Sequence, residues 1–159
     1  MPVGKTMTED IAVRHWQPGD REACLTLFDS NVPKFFAPQE RGQFYHYLDT
    51  LDPTRYLVLL AAGRIVACGG LDIDQPVHRA TLSWGMVERA SHRAGLGTRL
   101  TEARLALARS MPDIAEVALI TSQHTHAFYE RFGFQRISVT PDGIAKGLDR
   151  WDMILPLRG

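Results

Sequence analysis

An α/β or α+β fold, a mixed sheet with helices packed on it, is predicted for this chain of 159 residues from three observations. Several short stretches alternate apolar and polar residues, as half-buried strands do. Others repeat apolar residues every three or four positions, as amphipathic helices do. The two kinds interleave along the chain, and one strand-like run leads through a glycine turn directly into a helical run.

The elements follow in order. Residues 11–16 read as a strand. A helix over 20–31 carries Ala23, Leu25, Leu27 and Phe28 at apolar positions and ends at Pro33. A second helix over 39–51 places Phe44, Tyr45 and Leu48 on one face and ends at Pro53. Residues 56–62 and 65–73 are strands joined across Gly63, a hairpin signal. After a turn at Gln75-Pro76, residues 79–87 form the next strand. Leu96, Leu100, Ala103, Leu107 and Met111 share a helix face that Pro112-Asp113 closes. The nearly all-apolar run 115–121 predicts a strand buried on both faces. A short helix over 125–132 stops at Gly133, and 134–139 and 151–157 are the last strands. Residues 141–150 are expected to form a loop long enough to have a job, and 151–157 an exposed edge through which two copies pair as a homodimer.

Composition narrows the function classes. Apolar residues make up 45% of the chain and charged residues 23%, the balance of an ordinary globular protein. The length suits one domain, placed at residues 7–159 with Met7 as a candidate start. Eighteen basic residues meet eighteen acidic ones, so no broad electrostatic footprint for nucleic acid exists, and none is expected as a partner. No apolar run reaches membrane-span length, and the first residues lack a signal-peptide core. Cys24 and Cys68 lie in apolar periodic segments and read as buried free thiols. These features predict a cytoplasmic protein without a membrane partner. No metal site is expected. Gly4-Lys5-Thr6 looks like the end of a P-loop but lacks the earlier glycine and the preceding strand.

Charge is uneven locally. Arg89, Arg93, Arg99, Arg104 and Arg109 face only Glu88 and Glu102 across residues 88–109. That excess surrounds Gly95-Leu96-Gly97-Thr98, the turn between the strand ending at Val87 and the next helix. Glycines there let an anion approach the main chain, and backbone N–H groups and the helix dipole converge on the same spot. His92 and Arg93 add charge and Thr98 a hydroxyl. A plain tight turn explains the spacing equally well. The dinucleotide fingerprint is incomplete, because Leu100 stands where a third small residue belongs, and Thr98-Arg99 is not the Lys-Ser/Thr of a P-loop.

The passage resembles the acyl-CoA signature of the GNAT superfamily of N-acetyltransferases. That signature has a basic residue or Gln, two free positions, Gly, one free position, then Gly or Ala, eight residues after a strand-ending valine. Val87, Gly95 and Gly97 match it, while His92 stands where Arg or Gln is usual. His126-Ala127-Phe128-Tyr129-Glu130-Arg131-Phe132-Gly133-Phe134 resembles the family's late Tyr-Glu-Lys-x-Gly-Phe segment, with Ser122 where an Asn is common. The likeness spans most of the chain and is strongest over 80–135.

The resemblance implies a mostly antiparallel sheet with helices on both faces and one splayed parallel strand pair. It implies acetyl-CoA as co-substrate, its pantetheine arm bonded to the backbone of Met86 and Val87. Its pyrophosphate would be held by the backbone of His92, Arg93, Ala94, Gly95, Leu96, Gly97 and Thr98, and Ser122 would contact the arm. Tyr129 takes the place of the general acid. Its alternative reading is an aromatic core residue. No general base is assigned. Asp72, Asp74, Glu88 and His124 are candidates. Asn31, Phe35, Phe36, Tyr45, Asp72 and Trp84 are candidates for the acceptor pocket, with 141–149 as a lid.

The leading expectation is transfer of an acetyl group to a primary amine of a small molecule or a protein, by direct attack on the thioester. The alternatives are a non-catalytic acyl-CoA-binding regulatory module and a nucleotide-binding protein using the glycine turn.

Overall fold

The computed structural model describes residues 11–92 and 95–157. Its chain runs β1 (Ile11–His15), α1 (Arg21–Ser30), α2 (Arg41–Thr50), β2 (Tyr56–Ala61), β3 (Arg64–Asp74), β4 (Arg79–Val87), α3 (Leu96–Arg109), β5 (Glu116–Thr121), α4 (His126–Glu130), β6 (Gln135–Ala145) and β7 (Leu148–Pro156). The seven strands form one sheet in the order β1-β2-β3-β4-β5-β7-β6. Neighbours are antiparallel except β4 and β5.

That parallel pair decides the shape of the molecule. It holds register only at Arg79↔Glu116, Ala80↔Val117 and Thr81↔Ala118. Beyond Thr81 the strands part, so the backbone edges of Ser83–Val87 and Leu119–Thr121 lose their partners on the inner side. A bulge in β4 accompanies the parting. The β3–β4 register shifts between Cys68 and Gly70, and Trp84 takes a φ of 43°, a conformation few non-glycine residues adopt. Buried Tyr56 holds that turn of backbone by donating its hydroxyl proton to the Trp84 carbonyl at 2.8 Å.

Three apolar clusters build the core. Phe28 of α1, Phe44 and Leu48 of α2, and Tyr56, Val58 and Cys68 of the sheet fill one. Leu96 and Leu100 of α3 close on Leu59, Val66 and Ala67 in a second. Leu105 and Ala108 of α3 join Leu71, Leu82, Val117, Leu119 and Met153 in the third. The buried stripe of α3 is therefore Leu96, Leu100, Thr101, Arg104, Leu105 and Ala108, rotated from the face expected through Ala103 and Leu107. Arg104 sits in its middle, buried to 1% exposure. Cys24 and Cys68 are both buried free thiols.

The far edge of the sheet departs from expectation. Residues 141–150 are no long loop. β6 continues to Ala145 and turns through Lys146-Gly147 into β7. Pro141 is tolerated because β6 is an edge strand and the pairing is irregular between Thr140 and Ala145. Asp142 ties the end of the hairpin, its carboxylate accepting from Gly147 N (2.8 Å) while its own N–H donates to Asp149 (3.0 Å). The last strand is not an edge either. β7 lies between β5 and β6, leaving β1 and β6 outermost. β5 is not buried on both faces, since its residues alternate and Ile120 is 48% exposed.

Candidate active site

The parting of β4 from β5 opens a cleft of about 910 Å³. One end is walled by the start of α3, whose Gly95, Gly97 and Thr98 line it. Gly95 caps the helix with a φ of 79°, which glycine adopts without strain. A helix start leaves its first N–H groups without acceptors in the helix, here those of Leu96, Gly97 and Thr98. A Cβ on Gly97 would stand 3.3 Å from the Phe128 ring, so a side chain there would fill the space the cradle leaves. Leu96 itself turns into the core. Arg93 and Ala94 lie outside the described residues, as do Gly4-Lys5-Thr6 and Met7.

Val87 ends β4 at a junction. Its carbonyl accepts from the buried Asn31 amide at 2.9 Å and from His92 Nε2 at 3.0 Å, so that nitrogen carries the proton. Asn31 also donates to Leu27 O, tying the end of α1 to the end of β4. His92 meets Phe35 edge-on at 5.1 Å between centroids, and Arg89 stands over the same ring. Met86, Val87 and His92 all line the cleft.

A neighbouring wall comes from α4 and the loop before it. Ser122 is buried and its hydroxyl accepts from His124 N at 3.2 Å, shaping the turn into α4. Tyr129 packs against Phe128 and Phe134, yet it also faces the cleft. Its hydroxyl makes no hydrogen bond to another described residue, so it is available to a ligand.

Phe35, Phe36, Asp72 and Trp84 line the cleft on the side of α1 and α2, where Phe28, Phe36, Phe44 and Tyr47 surround the Trp84 ring. Asp72 accepts from Tyr47 at 3.0 Å, and Tyr47 Oη lies 2.9 Å from Ser83 Oγ. Burial pushes the Asp72 carboxyl above its usual range, opposed by the Tyr47 hydrogen bond and by Arg55. Burial likewise pushes the Tyr47 hydroxyl well up, so it stays protonated and donates.

Other expected residues fall elsewhere. Tyr45 is 48% exposed beneath Arg21 on the outside of α2. Glu88 pairs with Arg64 at 2.7 Å, which holds its carboxyl below the usual range. His124 does line the cleft, and Asp74 does not. Sequence reasoning missed Tyr47, Ser83, Glu40 and Arg104, all of which face the cleft or hold a residue that does. Among the described residues no cluster of ligating side chains would hold a metal, and no helix is long and apolar enough to cross a membrane.

The acetyltransferase (GNAT) family profile matches residues 22–134. A search of curated protein sequences returns no match. Among solved structures the chain is similar to Ard1 from Thermoplasma volcanium, at 17% identity and TM-score 0.77, covering 94% of this chain and 99% of that one. It is similar to the ribosomal-protein-S18-alanine N-acetyltransferase from Escherichia coli, at 18% identity and TM-score 0.76, covering 94% and 95%. It is also similar to Rv2747 from Mycobacterium tuberculosis in complex with CoA and NLQ, at 19% identity and TM-score 0.71, covering 92% and 99%.

Proposed function

The chain belongs to the acetyltransferase (GNAT) family and is an acetyl-CoA-dependent N-acetyltransferase, and from that premise we propose that it acetylates a primary amine of a small molecule or a protein by direct attack on the thioester. One observation carries this reading. The open β4–β5 seam is bordered by an N–H-rich helix start and by Tyr129, and both line one cleft.

Acetyl-CoA supplies the activated acyl carbon. The residues present fit it. The N–H groups of Leu96, Gly97 and Thr98 would hold the pyrophosphate, as anions are held at helix starts. The edge of β4 at Met86 and Val87, which has no strand beside it, would run along the pantetheine arm. Ser122 borders the same passage. Asp72 offers the acceptor's ammonium a carboxylate, and Phe35, Phe36 and Trp84 give it an apolar wall. The amine must shed a proton, since a free alkylammonium has a pKa of about 10. Tyr129 gives its hydroxyl proton to the departing sulfur. The two buried free thiols support a cytoplasmic setting, and the even charge balance argues against nucleic acid as a partner.

The test is the melting temperature with and without acetyl-CoA, with ATP and NAD as controls. At a hundred times its dissociation constant, acetyl-CoA should stabilise the fold by about 2.7 kcal/mol. A rise with acetyl-CoA alone, followed by thiol release with an amine panel, supports the reading. No rise, or an equal rise with ATP, removes it.

A further inference from the structure

We propose that Arg104 binds a carboxylate carried into the cleft by a substrate. The proposal rests on the acyl-CoA reading of the cleft and goes beyond it, because an acetyl group has no charge for this residue to meet.

Arg104 lines the cleft from the α3 side while being 1% exposed, and it is the largest fully buried side chain among the described residues. Its Nε is buried without a hydrogen-bond partner. Among the described residues no acidic side chain pairs with it. Of the carboxylates that line the cleft, Asp72 is held by Tyr47 and Glu40 by the Ala37 N–H. A guanidinium does not shed its proton in a protein, so it cannot escape the cost of burial by becoming neutral. Burying a charge without a partner is costly. The fold carries that cost without a counter-ion of its own.

The strands make room for this group. Gly85 of β4 and Gly69 of β3 lie beneath it. A Cβ on Gly85 would stand 2.5 Å from Nη2, and one on Gly69 would stand 3.2 Å from Cζ. Glycine inside a strand weakens it and often marks a close approach by another group. Here two strands give up side chains at adjacent positions to seat one guanidinium.

Its position sets it apart from the anion cradle. Arg104 follows Gly97 by seven residues, about 10 Å farther along the helix axis. It therefore lies near the bulged stretch of β4, beside the Trp84 wall assigned to the acceptor in the proposed function. A planar guanidinium whose Nε lacks a partner favours a two-oxygen anion in fork geometry. The carboxylate has two sources that share this chemistry: the far end of a dicarboxylic acyl chain on CoA, or the carboxylate of an amino-acid acceptor.

Calorimetric binding to the full chain separates them without relying on turnover. One arm compares succinyl-CoA with butyryl-CoA, which matches its chain length but is neutral. The other, at saturating CoA, compares L-amino acids with their carboxamides. The charged member of one arm should bind on the order of tenfold to a hundredfold more tightly, the range expected of a charge-assisted hydrogen bond. Arg104→Met should erase that preference while leaving the affinity for CoA itself unchanged. Preference in the first arm names the donor as the source, and preference in the second names the acceptor. If CoA binds and neither arm discriminates in the wild type, or if the preference survives in Arg104→Met, the proposal fails while the acyl-CoA reading stands. If CoA binds in no form, both fail.

Discussion

Tyr129 joins two environments: its ring is packed edge-on against Phe128 and Phe134, and the residue also lines the cleft. Tyr129→Phe keeps the ring and removes only the proton. The expected result is a fall in kcat of about 10²- to 10⁴-fold with an unchanged dissociation constant for CoA. Equal kcat for the two proteins would assign Tyr129 to packing alone. Asp20 is a structural counterpart far from the chemistry. Arg14 grips it with two hydrogen bonds, at 2.8 and 3.0 Å, and Gln17 N adds a third at 2.9 Å. The Arg14 bond, followed by smaller backbone and Coulombic contributions, holds its carboxyl below the usual range. A depressed folded pKa stabilises the fold above the unfolded value of about 3.9, and the gain disappears as pH falls through the folded value. Asp20→Asn should therefore destabilise by about 1–2 kcal/mol at pH 7, allowing for solvent around Arg14. Urea titrations should show the gap between mutant and wild type closing below pH 4.

At the scale of elements, glycines in β3 record how closely the chain passes itself. A Cβ on Gly70 would stand 2.2 Å from the Arg55 carbonyl and 2.6 Å from the Tyr56 ring. Gly70→Ala should cost about 3 kcal/mol and lower the melting temperature, with main chain forced aside beneath the ring that braces the β4 bulge. Most elements were legible in the sequence. The strand 79–87 appears as expected, and the helices lie within two residues of the predicted starts, because alternation and helical spacing express burial directly. What escaped was what those signals do not encode. Leu96, Leu100, Arg104 and Ala108 form a perfect four-residue row down α3, but a charge in the row reads as surface. Pro141, Gly143 and Gly147 punctuate a hairpin in the way they would a loop. The Trp84 bulge has only Gly85 as a local signature, and the residue that braces it, Tyr56, is distant in sequence. The glycine turn was legible on its own as either an anion site or a plain turn, while Tyr129 stood out only through two motifs in order. Tyr47 was not legible, because its role depends on Asp72 and Ser83, which two strands bring to its helix.

At the scale of the whole molecule, the sheet is two blocks hinged on a short seam. β1 to β4 form one and β5 to β7 the other, with pairing between them confined to the base of the cleft. A ligand lying between β4 and β5 should act as the missing strand. Hydrogen exchange should then slow on acetyl-CoA binding at amides of Ser83–Val87, Leu119–Thr121 and the first turn of α3. The amides of β2, already paired on both sides, should change little. Uniform slowing across both blocks would place the ligand's effect in global stability instead.

The two sides of the cleft are made of different material. The proposed anion cradle is main chain at a helix start, indifferent to most substitutions except those that change its shape. The proposed acceptor side is a set of side chains drawn from separate places: the segment between α1 and α2, β3, β4, and Ile144 near the tip of the β6–β7 hairpin. A lineage can rewrite the second set, one surface segment at a time, while inheriting the first intact. New acceptors can thus be tried against an unchanged donor. Exchanging the hairpin tip between relatives is a short path by which this scaffold acquires a new substrate.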